Sequence, residues 1–481
     1  MKTEADISIH HKPLKTHKEL VEEFYSGITL HGFRFLFEGT NYRRVTWFLI
    51  CSAVFAFSIY LFESLLNDYL AHKVNTSISR RYATGKFDFP TIVICPSGKA
   101  ISSAKYDNYP IDIGIDDFRN LKRYLSLGNK EKDHNSNNTG RFIQDLIQKG
   151  IDTKTKFINS YDLPFEEIFQ SDVLEHLAPG GSCNFYGQKC DTSWFTARYI
   201  QEDSCYQFNG LESSLSQSLK APKRSGGYFN GFDLVLDFGK AMIENLSFSN
   251  VVITMFESFG TRDDHIPING VIQLSTGTTL FAKITEKENK MLPSPYNTHC
   301  GTKTFNFLDP ILKYSKGLCI IDCIIGHIYK NMACVGEEFR SLINDGYEFC
   351  LLKDLPTYYQ VLNELYEGDV FENTCYHTCP NECVRKSYTV RKSTYRIGSQ
   401  SVYEEMKKTI PKFNNRSINE IEKYISDNIL KIHVAFFDST IETEEMQPAV
   451  SWNSLIATMG GAIGLGLGFS FITGFEFLFF F

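Results

Sequence analysis

The chain has 481 residues and a formal net charge of −7, with 43% hydrophobic residues. That charge gives no hint of nucleic-acid binding, which needs a basic excess. No His-Glu-x-x-His, Gly-x-Ser-x-Gly or phosphate-loop glycine pattern occurs, so the motifs of a hydrolase or nucleotide enzyme are missing.

The first 30 residues are polar and lack the apolar core of a cleavable signal peptide. Val45–Phe62 is an 18-residue run without a charge, bounded by Arg43-Arg44 and Glu63, and predicts a first membrane span over about 45–66. Lys12, Lys15, Lys18, Arg43 and Arg44 precede it and Asp68 follows it, so the positive-inside rule places both termini in the cytosol and residues 67–450 outside. Trp47 and Trp452 are the expected interfacial anchors.

Strand signals follow at Phe89–Cys95, Phe232–Phe238, Val251–Phe256, Gly270–Leu274 and Ile432–Phe437, enough for a central sheet. Residues 117–178 turn polar and helix-like and predict a peripheral lobe, with an exposed loop at Gly128–Gly140. Ser401-Val-Tyr-Glu404 and Ser417-Ile-Asn-Glu420 have the spacing of capping boxes. The acidic Glu442, Glu444 and Glu445 suit a solvated face or a charged mouth.

The 13 cysteines support this topology: Cys51 lies in the first span and the other 12 fall between Cys95 and Cys383, in the loop assigned to an oxidising compartment. Cys319 and Cys323 are four apart, as are Cys375, Cys379 and Cys383, so two antiparallel segments could be joined like rungs: Cys319–Cys379 and Cys323–Cys375, with Cys300–Cys383 outside and Cys334–Cys350 within. Cys183 and Cys190 could close a small loop, leaving Cys95 for Cys205; spacing alone does not prove this connectivity. Sequons at Asn75, Asn137, Asn245 and Asn415 fall in the same loop. His327 and His377 suit fold or surface roles, and no metal site is expected.

A second apolar run, Trp452–Phe475, holds Gly460, Gly464 and Gly468 on one helical stripe, where helices approach closely in lipid. Ser470 and Glu476 follow. A polar hydroxyl and a carboxylate in a membrane helix favour lining a pathway over passive anchoring.

This pattern resembles the degenerin and epithelial sodium channel superfamily along nearly the whole chain, in its neuropeptide-gated branch, similar to cnidarian channels opened by peptides ending in Arg-Phe-amide. The resemblance is carried by His31-Gly32, Phe89-Pro90 with Cys95, Cys183 to Cys190 to Cys205-Tyr-Gln-Phe-Asn209, the Cys375/Cys379/Cys383 spacing, Gly460-Gly461 and Gly468-Phe469-Ser470. It implies an α+β membrane protein: two spans flanking a disulfide-rich domain with a palm sheet, a finger near 100–178, a thumb near 300–383 and a knuckle near 400–430, and a pore-lining second span in 451–481. It further implies a trimer, of one chain or with sister subunits, conducting sodium, with calcium as a second permeant candidate, and no cofactor. Gly468, Phe469 and Ser470 would form the selectivity filter, Glu476 an inner charge ring, and His31, Gly32 and Ala457 gating positions. An acid-sensing, constitutive or mechanosensitive channel of the same family and a non-conducting two-span receptor are the competing functions, and no residue is assigned to ligand binding.

Overall fold

The computed structural model describes residues 17–480 except 83–86, 97–100, 128–135, 178–180, 201–202, 211–218, 223–229, 242–249, 257–271, 341, 345 and 368–369. Its principal helices are α1 (His17–Gly27), α2 (Asn41–Leu70), α3 (Ile115–Leu127), α4 (Ser136–Gln148), α5 (Lys154–Tyr161), α6 (Lys316–Met332), α7 (Leu355–Tyr366), α8 (Gln400–Thr409), α9 (Ile418–Asn428), α10 (Trp452–Leu467) and α11 (Phe471–Phe480). The main strands are β1 (Val74–Tyr82), β2 (Thr91–Pro96), β3 (Cys183–Phe185), β4 (Phe195–Ile200), β5 (Asp203–Phe208), β6 (Phe232–Asp237), β7 (Asn250–Phe256), β8 (Ile272–Ser275), β9 (Thr278–Lys290), β10 (Val384–Arg396) and β11 (Ile429–Pro448). The chain forms two compact units, one of Met1–Thr76, Pro295–Asn297 and Met446–Phe481, the other of Ser77–Ser294 and Thr298–Glu445.

In the first unit α2 is long and apolar enough to cross a membrane, and only 6% of its apolar window is buried. It outruns the predicted span at both ends because no helix breaker intervenes before the turn at His72, whose φ is 48°. The second apolar run is two helices rather than one: α10 stops at Gly468 and α11 restarts at Phe471. The glycine stripe does not meet α2. The close approach is made by Gly466, where a Cβ would lie 3.0 Å from Val54 Cγ1 and 3.4 Å from Ser58 Oγ, while Gly460 and Gly461 have nothing within 4 Å. Position 466 lies about 200° around the helix from 464, so the stripe faces away from its own first span.

In the second unit one sheet runs β10-β9-β11-β6-β3 and another β8-β7-β2-β5-β4. β9 and β10 pair antiparallel from Thr278↔Arg396 to Lys290↔Val384, and β9 lies parallel to β11. Their charged, alternating sequences carry little apolar signal of a strand. The fully buried Phe89 sits between the sheets with Phe185, Phe208, Phe232 and Phe436 around it at ring separations of 5.0–6.2 Å. Each such pair adds roughly 0.5–1.5 kcal/mol beyond area burial. Asn209, at φ 56° and fully buried, donates to the Phe89 carbonyl at 2.7 Å and fixes the Phe-Pro segment.

Two expectations are corrected. The segment 117–178 does not stand apart as a peripheral lobe: up to Tyr161, Phe118, Leu125 and Leu146 share one core with Ile324, Leu355 and Tyr358 of α6 and α7, because these amphipathic helices have an apolar face to cover. Ser401 is not a cap: Gly398, at φ 83°, turns the chain early, Ser399 becomes the N-cap residue and Ser401 lies inside α8. Ser417 does cap α9, with Glu420 N–H donating to its Oγ and Ser417 N–H donating to the Glu420 carboxylate.

The structure has disulfides 95–205, 183–190, 300–383, 319–379, 323–375 and 334–350, the nested ladder, with Cys51 free. The α9 helix is tied to β6 by Tyr424, whose hydroxyl reaches the buried Asp237 carboxylate at 2.9 Å; burial and that carboxylate push the phenol far above its usual range. Tyr424→Phe leaves Asp237 short of a donor and is expected to cost about 1.5–3 kcal/mol, read as a lower melting temperature of the detergent-purified chain.

Candidate functional site

The sequence-selected residues converge, within the first unit, on the break between α10 and α11. Gly468 ends α10 in the left-handed region at φ 67°, with its N–H donating to Gly464 C=O at 2.9 Å. This conformation suits glycine, and space requires glycine too: a Cβ there would lie 2.8 Å from the His31 ring. Gly32, at φ 78°, turns the N-terminal segment beneath the helix; a Cβ on it would meet Trp47 at 3.1 Å and Cys51 Sγ at 3.2 Å. Trp47 therefore supports this turn, stacking on Phe35 at 4.8 Å.

α11 starts at a reciprocal cap. Thr473 N–H donates to Ser470 Oγ at 3.3 Å and Ser470 N–H donates to Thr473 Oγ1 at 3.2 Å. Thr473 is fully buried, and its hydroxyl lies 2.7 Å from that of Thr29. Thr29 in turn donates to Glu476 Oε2 from its N–H at 3.1 Å and from its hydroxyl at 3.0 Å. With one proton per hydroxyl, a single ordering satisfies the chain: Ser470 N–H to Thr473, Thr473 O–H to Thr29, Thr29 O–H to the carboxylate. Such aligned bonds strengthen one another. Glu476 is thus a bonded charge, anchored to the N-terminal segment.

Phe469 is 42% exposed and folds along α11, its ring tip 3.8 Å from where a Gly474 Cβ would stand. Ala457 is not part of the cluster; it is exposed on α10, about 16 Å of helix above Gly468. Thr29 and Thr473 were missed, although Ser470-x-x-Thr473 has capping spacing and was visible.

Asn75 and Asn415 are exposed; Asn137 lies in α4 and Asn245 falls outside the described residues. No group of His, Cys, Asp or Glu among the described residues could hold a metal, and His327 and His377 take no such part. In the second unit, Glu442 is not a free mouth charge: a hydrogen bond from Lys287 and the Arg80 guanidinium hold its carboxyl below the usual range. Glu286 is pushed up by burial, against the pull of Lys386 at 3.3 Å.

The sequence pattern described as "Amiloride-sensitive sodium channel" matches residues 24–480. The chain belongs to the amiloride-sensitive sodium channel family. This is a family of membrane ion channels, and α2 is long and apolar enough to serve as a spanning helix. Among relatives, the mouse "Bile acid-sensitive ion channel" is 23% identical over 475 residues, covering 95% of this chain and 86% of its own. The chicken "Acid-sensing ion channel 1" is 23% identical over 487 residues, covering 95% and 82%. A solved proton-activated chloride channel covers 91% of this chain and 96% of its own at 9% identity and a TM-score of 0.31, too loose a likeness to carry weight.

In this family member, Thr29→Val is expected to leave Glu476 with no side-chain donor and to weaken docking of the N-terminal segment by about 1.5–3 kcal/mol. Thr29→Ser keeps the hydroxyl. Whole-cell current normalised to surface protein should fall for valine and persist for serine.

Proposed function

We propose that three copies of this chain, or this chain with related subunits, form an amiloride-sensitive plasma-membrane channel for sodium, with calcium as a second permeant ion, both termini cytosolic. The observation that carries this is the break at Gly468–Ser470. Ending α10 there strips the last-turn carbonyls of their helical donors, and such carbonyls can replace an ion's hydration shell. The cap and the His31 contact hold the break still, as a filter requires. Gly460 and Gly461, with nothing within 4 Å in their own chain, are free to meet another copy around a common axis.

For gating, the reading is an extracellular peptide ending in Arg-Phe-amide, supported by the resemblance of Ser26–Gly39 to neuropeptide-gated channels. The relatives' names make bile acids and protons the competing stimuli.

Voltage clamp of cells expressing this chain, alone and with related subunits, tests both parts. Arg-Phe-amide peptides should open an amiloride-blocked sodium current, and Ser470 substitutions should shift its reversal potential between alkali cations. An unchanged selectivity would remove the filter assignment; acid or bile acid acting where peptide does not would replace the ligand.

A further inference from the structure

Lys283 and Arg391 stand directly opposite each other in the antiparallel β9–β10 register. Like charges placed so repel, and neither has an ion-pair partner among the described residues. Side chains two apart share a face of a strand, so the nearest neighbours are Phe281 and Thr285 on β9, Thr389 and Ser393 on β10 and Ala435 on β11. None of these is acidic. Of the carboxylates nearby in sequence or pairing, Asp233 bonds His433 at 2.8 Å and Asp438 accepts the Thr440 N–H at 2.9 Å, so both are engaged. A charge on an edge strand guards against strand addition, which accounts for Arg391 on the outermost strand β10. Lys283 lies one strand in and guards no edge.

Aromatic rings back the pair. The Arg391 guanidinium lies 4.8 Å from the Phe437 centroid, and Lys283 Nζ lies 5.5 Å from that ring and 5.7 Å from Phe281. Phe437 is 41% exposed. Phe281 stacks on the His433 ring at 4.6 Å, and His433 Nε2 is buried with no hydrogen-bond partner among the described residues. Two unneutralised cations, an exposed ring and an orphaned nitrogen each break a local rule of sheet stability without a gain inside the chain. Such clustering marks a place kept for a partner from outside.

We propose that Lys283, Arg391 and Phe437 bind a small planar aromatic carboxylate. Directly opposed residues hold their Cβ atoms about 5 Å apart, so the two charged ends can close on one carboxylate. The flat guanidinium fork takes its two oxygens side by side, and the ammonium adds a point charge. The ligand's ring then lies against Phe437, and displacing water there strengthens both cation–π contacts. A polyphosphate carries more charge than one such pair answers and has no use for the ring. The site is complete in one copy and stands apart from the pore assignment.

Thermal melting of the detergent-purified full chain tests it with 2-naphthoate as the probe, because a ligand held only by the folded chain raises its melting temperature. 2-Naphthoate should raise it saturably. Acetate and 2-naphthylmethanol should do far less at equal concentration, since each carries half of the chemistry. Lys283→Gln with Arg391→Gln should weaken the apparent affinity at least about tenfold, the loss expected for charge-assisted hydrogen bonds. Phe437→Leu should weaken naphthoate and leave the small effect of acetate unchanged. An equal naphthoate shift in the double glutamine variant, a stronger response to pyrophosphate than to naphthoate, or a wild type unmoved by millimolar naphthoate would overturn the proposal. Should the double variant fold poorly, Lys283→Gln alone decides: a clear loss of naphthoate affinity supports the site, and wild-type affinity refutes it.

Discussion

Gly468→Ala is expected to abolish current while leaving protein at the cell surface. Two effects combine at one atom. A non-glycine residue at φ 67° costs about 1–2 kcal/mol in backbone sterics. The new methyl would also lie 2.8 Å from His31, inside any ordinary contact distance. Neither α10 nor α2 depends on that carbon for folding, so the damage should fall on the break and the docked N-terminal segment. His31→Ala in the same chain removes the clash but not the backbone strain. Partial recovery of current in the double variant, measured against surface biotinylation, is the expected result; full function of Gly468→Ala alone would remove the filter geometry.

Asp322→Ala should have the largest effect on stability. This carboxylate is 7% exposed on α6, one residue before Cys323. It accepts the backbone N–H groups of Asn306, Phe307 and Leu308 at 2.8–3.1 Å. Those donors carry the loop that packs Leu308 and Leu312 beneath the helix. Truncation strands three donors away from water, for an expected loss of about 3–5 kcal/mol. Surface expression should fall sharply, with a lowered melting temperature of whatever chain is purified. A chain that melts like wild type would show that the disulfide ladder alone holds the thumb.

The site was more legible than its wiring. His31-Gly32 and Gly468–Ser470 stand out in the sequence because glycine at a turn and a hydroxyl in an apolar run are locally unusual. Thr29 and Thr473 are ordinary residues whose role comes from a meeting across 444 positions, which no local pattern encodes. Asp322 was hidden for the same reason. Phe469, anomalous as a bulky residue in a narrow belt, lies along α11 with its ring tip near Gly474.

By itself the sequence indicated the first long apolar helix, the second apolar run and the six cysteine pairs. These depend on quantities that add up along the chain: apolar length, charge asymmetry and cysteine placement. It also carried the strands with apolar runs, since a buried strand is recognised by its own side chains. Only the tertiary structure decided that Gly466, not the stripe, meets α2. It alone showed that the 115–161 helices share a core with α6 and α7, that β9 and β10 pair despite their charge, and that Glu476 is a bonded carboxylate. Each of these depends on which surfaces meet, and the free energy of a contact belongs to both partners at once.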